Sequence, residues 1–219
     1  MAAISGKQAK IRYTSVAGTS STDNAATITT GLGSANSSIQ INATGRRHWD
    51  RSDTATPTLW LNSTLVPTTA IASYNHVQGI INLNESRTST GTYTIDMHYL
   101  TTTHLALAQS WDVSFDNSMY ETTSMSTTTG DVQWRTFEPG LTNGTVTISK
   151  FVSTGDTGPL FYDRMNLESD YILELITNGN NRYEAYGYTA SQGISAGIDQ
   201  VTVESVDFQL DGPIYYSTT

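Results

Sequence analysis

Four histidines, a spaced pair of aspartates and four tryptophans are the side chains of this chain with most chemistry to offer. His48, His76, His98 and His104 are scattered, and no two sit at ligand spacing on one expected element, whereas zinc needs three or four converging ligands. Structural roles are expected for all four. Asp112 and Asp116 have the same parity on an alternating segment, so a strand puts both on one face. Paired carboxylates can serve glycoside hydrolysis, but in an alternating β-segment such pairs mostly form a solvated polar face. Trp49, Trp60, Trp111 and Trp134 can stack on sugar rings or fill cores and interfaces. Trp111 and Trp134 alternate with apolar partners as core residues do. The sequence has no Gly-x-Ser-x-Gly elbow, phosphate loop or calcium loop. It also has no cysteine, which removes disulfides, thiolate metal sites and a cysteine nucleophile. No catalytic residue, metal or cofactor is assigned, and the chain is expected not to be an enzyme.

The elements that carry these residues read as strands. Only 14% of the 219 residues are charged, and threonine repeatedly fills the polar half of alternating runs. With 10% aromatics among Val, Ile and Leu, the chain can build a core. Strand candidates in the first half are Lys10-Ile-Arg-Tyr13, Ile39-Gln-Ile41, Thr58-Leu-Trp-Leu61, Gly79-Ile-Ile-Asn-Leu83 and the run 92–99, with turns at Asn62-Ser63, Val66-Pro67 and Ser89-Thr-Gly91. The Gly-, Ser-, Thr- and Asn-rich stretch 17–38 reads as a mobile loop. Arg46-Arg-His-Trp-Asp50, the densest positive charge, reads as a surface loop whose Trp49 plugs the edge of a small core.

The second half is more periodic. Trp111, Val113 and Phe115 share one face, Asn143-Gly144 is a strong hairpin signal, and Pro159 opens a short helix over 159–167. The runs 171–176 and 182–188 flank the turn Asn178-Gly-Asn-Asn181. In the last strand, 199–210, the apolar parity slips between Val203 and Val206, which predicts a β-bulge near Glu204–Ser205, and Asp211-Gly-Pro213 stops it. The expected fold is all-β with one short helix, split into a β-rich region 1–105 and a core domain 106–219. A net charge of −9 argues against gripping nucleic acid by its phosphates, yet an acidic or neutral surface lets DNA slide past. The N-terminus lacks the apolar stretch of a signal peptide and no long apolar run follows, so synthesis in a cytoplasm without membrane insertion is expected.

One order of motifs runs through the second half. Trp111-Asp-Val-Ser-Phe115 is followed by a Ser/Thr loop over 121–129, then Gly130-Asp-Val-Gln-Trp134-Arg-Thr-Phe137, Glu138-Pro-Gly-Leu141 and Thr145-Val-Thr-Ile-Ser-Lys-Phe-Val152. This order resembles the core signature of the tail tube proteins of long, non-contractile-tailed bacteriophages. The resemblance covers roughly the C-terminal half and implies an antiparallel sandwich or barrel whose copies close into hexameric rings, stacked into a tube that conducts DNA during ejection. It implies an inner barrel from strands 111–117, 130–137, 182–189 and 199–210. A loop over 119–129 would reach the neighbouring ring, with Tyr120, Glu121, Met125, Gly130 and Trp134 in or beside it. Asp112, Asp116, Glu184 and Asp199 are the implied lumen residues, and Leu160, Phe161 and Leu167 the residues packing the helix outside the barrel. The implied partners are further copies, a tape measure and a terminator, with DNA passing unbound; the implied location is the virion tail, after synthesis in the bacterial cytoplasm. Residues 1–105 would decorate the tube or touch the next subunit. The competing reading is a carbohydrate-binding β-sandwich module of a phage receptor-binding or capsid decoration protein, supported by the tryptophans and tyrosines.

Overall fold

A computed structural model describes residues 10–14, 18–30, 37–52, 56–85, 91–105, 108–121, 137–152, 170–178, 181–198 and 202–218. The fold is all-β, and the strand pairs with a defined register are antiparallel. Two 3₁₀ turns, Thr44–Arg46 and Thr68–Ala70, are the helical elements among the described residues. The expected helix over 159–167, with Leu160, Phe161 and Leu167, lies outside them.

The chain forms two compact units. The first takes Met1–Ala106, Ser169–Gly187 and Gly212–Thr219, so the region before residue 106 is joined by two later segments. One seven-stranded sheet of this unit contains β2 (Thr19–Thr30), β3 (Ser38–Ile41), β4 (Thr58–Leu61), β5 (Thr64–Leu65), β6 (Ile71–Asn75), β7 (Ile80–Leu83) and β8 (Tyr93–Tyr99), in the order β5-β4-β8-β2-β3-β7-β6. Its core is made by alternate residues: Ile39 and Ile41, Leu59, Ile81 and Leu83, and Tyr93, Ile95 and Met97, closed by Trp49. Asn62 and Ser63 take positive φ (50° and 63°), the geometry a two-residue hairpin needs, and join β4 to β5 as the sequence signals.

Three further strands of the first unit, β1 (Lys10–Thr14), β9 (Thr102–His104) and β12 (Asp170–Asn178), run in the order β12-β1-β9. β13 (Asn181–Ser195) lies beside β12, and β15 (Tyr215–Thr218) pairs with the start of β13. β12 is buried on both faces from Tyr171 to Ile176, which explains why its run is apolar at every position but Glu174. β13 continues beyond Gly187 into the second unit. That unit, Leu107–Glu168 and Tyr188–Asp211, is built on β10 (Ala108–Glu121), β11 (Phe137–Phe151), β14 (Val203–Leu210) and the remainder of β13, in the order β10-β11-β14-β13.

Four expectations are corrected. The stretch 17–38 contains β2, a central strand held between β3 and β8 by main-chain pairing. It has few large apolar residues because its inward positions are Asn24 and Ala26, and the Asn24 amide is satisfied by Ile95 O at 3.0 Å. Asn143-Gly144 is no hairpin turn, since β11 continues through it and both residues pair with β10; only beyond Thr142, toward Pro139, does that pairing shift register. The bulge at Glu204–Ser205 is absent: β14 pairs β11 without a shift. Its inward residue at the apparent slip is Glu204, buried against Lys150 (3.4 Å). Finally, Arg46-Arg-His-Trp-Asp50 is not a surface loop, because Arg47, His48 and Trp49 are all buried.

Candidate functional site

The second unit separates its two faces row by row. The registers β10–β11 and β11–β14 align Trp111 with Ile148 and Val206, and Val113 with Val146 and Phe208. A third apolar row begins with Phe115 opposite Gly144. The intervening rows are polar: Asp112, Thr147 and Asp207; Ser114, Thr145 and Gln209; Ser110, Ser149 and Ser205; and the pair Asp116 and Asn143. Period-two alternation on three adjacent strands thus builds one apolar and one polar face.

The apolar face empties toward β10. Val146, Ile148, Val206 and Phe208 are buried, Trp111 and Val113 are half-buried, and Phe115 is 59% exposed. Farther along β10, Met119 and Tyr120 are each 60% exposed. β10 is also the end of the strand order, so among the described residues only its β11 side is paired. A long apolar edge strand is a template for pairing with another chain.

Gly144 fits this surface by lacking a side chain. A Cβ there would stand 2.9 Å from Leu210 Cδ1 and 3.3 Å from Phe115 Cε1. The glycine therefore marks a close approach inside a strand, covered by a cross-strand aromatic, rather than a turn.

The polar rows hold Asp112, Asp116 and Asp207 and contain neither Lys nor Arg. Asp207 accepts from Ser191 Oγ at 2.5 Å and from Thr147 Oγ1 at 2.7 Å, and these bonds, the first above all, hold its carboxyl below the usual range. Ser114 and Thr145 hydroxyls bond at 2.9 Å. The outcome is an anionic, hydroxyl-rich face on which Asp207 and the Ser114–Thr145 pair are held by neighbouring hydroxyls.

The expected site residues fall in different places. Asp112 and Asp116 are exposed on the polar face, and Tyr120 and Glu121 are exposed at the end of β10. Met125, Gly130, Trp134 and Asp199 lie outside the described residues. Glu184 is corrected: it is fully buried in the first unit and cannot line an open channel. It belongs to an ion cluster that sequence reading missed.

In that cluster Arg47, just after the 3₁₀ turn, reaches Glu174 on β12 at 3.3 Å and also contacts Glu184 on β13. His48 Nε2 is 2.8 Å from Glu174 Oε1, while its Nδ1 is 2.7 Å from Val77 O. Arg182 lies 3.3 Å from Glu184, and Ser217 donates to Glu184 at 3.2 Å. Burial raises the Glu174 pKa, but the His48 hydrogen bond and the charges of His48, Arg47 and Arg182 outweigh it and lower the value to about 2. For Glu184 burial wins and the pKa is raised, despite Arg47 and Arg182. His48, Glu174 and Glu184 converge as three metal donors would. However, the Arg47 guanidinium contacts both carboxylates and already supplies the cation, so the cluster reads as a buried salt-bridge network. A cue was in the sequence: Glu174 interrupts an otherwise apolar run that is too continuous for a one-sided strand.

No protein-family model matches the chain, and no curated protein sequence matches it. Among solved structures, one similar chain comes from the tail of an empty gene transfer agent particle with C6 symmetry, at TM-score 0.45 and 12% identity over 54% of this chain and 87% of that one. A second, from the virion of a native gene transfer agent, gives TM-score 0.41 and 12% identity over 53% and 89%. A third, from the six-fold symmetrised baseplate of an anti-feeding prophage, gives 0.36 and 10% over 74% and 91%.

Proposed function

We propose that this protein is a structural subunit of a phage tail tube, assembling edge to edge into hexameric rings that stack around a DNA-conducting lumen. The observation that carries this reading is β10, a 14-residue strand unpaired on one side among the described residues, where the apolar rows of the second unit become exposed. An edge that needs a strand and an apolar face that needs a cover are both supplied by another copy, and rotation closes such a head-to-tail contact into a ring. The motif order from Trp111 to Val152 supports the same reading and aligns it with long non-contractile tails. The polar rows with Asp112 and Asp116 suit the lumen, because a wall without Lys or Arg gives phosphate nothing to hold. The role is structural and not catalytic. Tape measure, terminator and tail localisation follow from it as proposals.

Negative-stain electron microscopy of the purified chain across a concentration series tests the proposal. Stacked rings or hollow tubes are expected; small discrete particles at every concentration overturn self-assembly. Phe115→Lys puts a charge on the open edge at an exposed position, so it is expected to abolish rings while the unfolding midpoint hardly moves.

A further inference from the structure

The first unit carries a second surface that ring assembly does not use. Beside β4, β8 and the start of β2 lies an open cavity of about 720 Å³, lined among others by Asp23, Trp60, Asn62, Ser63, Thr94 and Asp96. That is within the roughly 300–1,000 Å³ of small-molecule sites. A smaller cavity of about 180 Å³, lined by Ser20, Thr58, Met97 and His98, shares Asp96 with it. The two cavities adjoin at Asp96 as one groove.

Its central group is a fixed carboxylate. Asp96 Oδ2 accepts from Trp60 Nε1–H at 2.7 Å and Oδ1 accepts from the Asp23 N–H at 2.7 Å. That second bond exists because Asp23 takes φ +53° where the β2–β8 register shifts between Ser21 and Asn24. A carboxylate has about four acceptor positions, so two bonds orient Asp96 and leave capacity for a ligand. Asn62 turns its Oδ1 to the Thr92 N–H at 2.9 Å, which leaves its amide group to donate. Ser63 and Thr94 bring hydroxyls, and the half-buried Trp60 brings apolar ring surface.

We propose that this groove is a carbohydrate-binding site for a neutral oligosaccharide. A sugar combines an apolar C–H face with a rim of hydroxyls, matching an indole set beside an oriented carboxylate, an amide and hydroxyls. With two aspartates and neither Lys nor Arg among its lining residues, the groove disfavours anionic sugars, phosphates and nucleic acid. Two adjoining cavities give room for more than one sugar ring. The site goes beyond the tube function and lies wholly within the first unit.

The full chain would be titrated with maltoheptaose, cellohexaose and chitotetraose, with sialyllactose as the anionic probe, by tryptophan fluorescence and saturation-transfer NMR. Saturable binding of a neutral probe is expected, with sialyllactose excluded. Trp60→Ala and Asp96→Asn each weaken it about tenfold or more. Thr22→Trp, at an exposed lining position, blocks the groove with the Trp60–Asp96 bond left in place and thus guards against misfolding of the other variants. No binding by any neutral probe, preference for sialyllactose, or binding unchanged by Thr22→Trp overturns the proposal. Ring formation is scored separately by microscopy, so failure of the sugar site and failure of the tube reading remain distinct.

Discussion

The seven-stranded sheet of the first unit and the β10-β11-β14 sheet of the second alternate equally well, yet they finish differently. The first closes its apolar face with its own chain: Trp49 seals the core, and Ile39, Leu59, Ile81 and Ile95 are fully buried. The second runs from a buried Phe208 to a largely exposed Phe115 across three strands. Their buried charges differ in the same sense. The first unit holds two carboxylates with Arg47, His48 and Arg182, whereas the second pairs Lys150 with Glu204 directly across β11 and β14, Gln192 also donating to Glu204. Similar strand patterns can therefore build a self-sufficient body or a surface that is complete only in company. What separates them is the row of Phe115, which stays open, whereas Trp49 closes the core of the first.

The largest expected effect breaks the self-sufficient side. Arg47→Met leaves Glu174 and Glu184 buried without their shared cation, and removing one partner of a buried network costs about 3–5 kcal/mol. Thermal unfolding of the purified variant should show a drop of many degrees. A midpoint within about a degree of wild type would mean that the carboxylates are held by other groups.

Acid should sharpen the same contrast. The Glu174 pKa is lowered from 4.5 to about 2, so its ionisation favours the folded state above the unfolded value, and that contribution is lost as pH falls toward 2. Glu184 is raised, so its contribution has the opposite sign: present below its unfolded value, it is lost as pH rises through the folded one. Glu174→Gln should thus destabilise the protein by a few kcal/mol near pH 6 and by much less near pH 3. A destabilisation that stays constant across this range would mean that Glu174 acts by shape alone.

Gly144 tests the second unit more gently. Gly144→Val drives a branched side chain into Leu210 Cδ1 and the Phe115 ring, and overpacking of this kind costs about 1–3 kcal/mol. Denaturant unfolding would report the cost. An unchanged midpoint would show that the edge row rearranges freely.

These positions also show what the sequence could and could not disclose. Strands whose inward residues are large and apolar, such as β4, β7 and β8, were legible because period-two alternation needs no tertiary knowledge. β2 was not, because its inward Asn24 and Ala26 are recognisable only once Ile95 and Met97 lie opposite. Asn143-Gly144 misled because local turn preference and tolerance of close packing use the same residue, and only Leu210, far along the chain, decides between them. Glu204 produced a false bulge because a paired buried charge occupies an inward position without looking apolar. The polar face of Asp112 and Asp116 was readable in advance, whereas the Arg47 network was not, since its members lie on segments far apart in the chain that only the folded structure brings together.

The smallest effect on stability, and the most informative about the open face, is expected from Asp112→Lys with Asp116→Lys. Both residues are exposed on β10, so unfolding should change by no more than about 0.5 kcal/mol. Each replacement turns a −1 into a +1 on a chain of net charge −9, on rows that otherwise carry no cation. If these rows line the channel, assembled variant tubes gain a repeating ring of phosphate-binding groups. They should retain short duplex DNA at low salt and release it steeply as salt rises, whereas wild-type tubes retain none. The dispersed variant, where six or more cations no longer converge on one duplex, should bind far more weakly; six here is about the contact number that gives steep salt dependence. DNA retained equally by assembled and dispersed variant would place these aspartates outside the channel, leaving the apolar rows as the only part of this sheet that assembly explains.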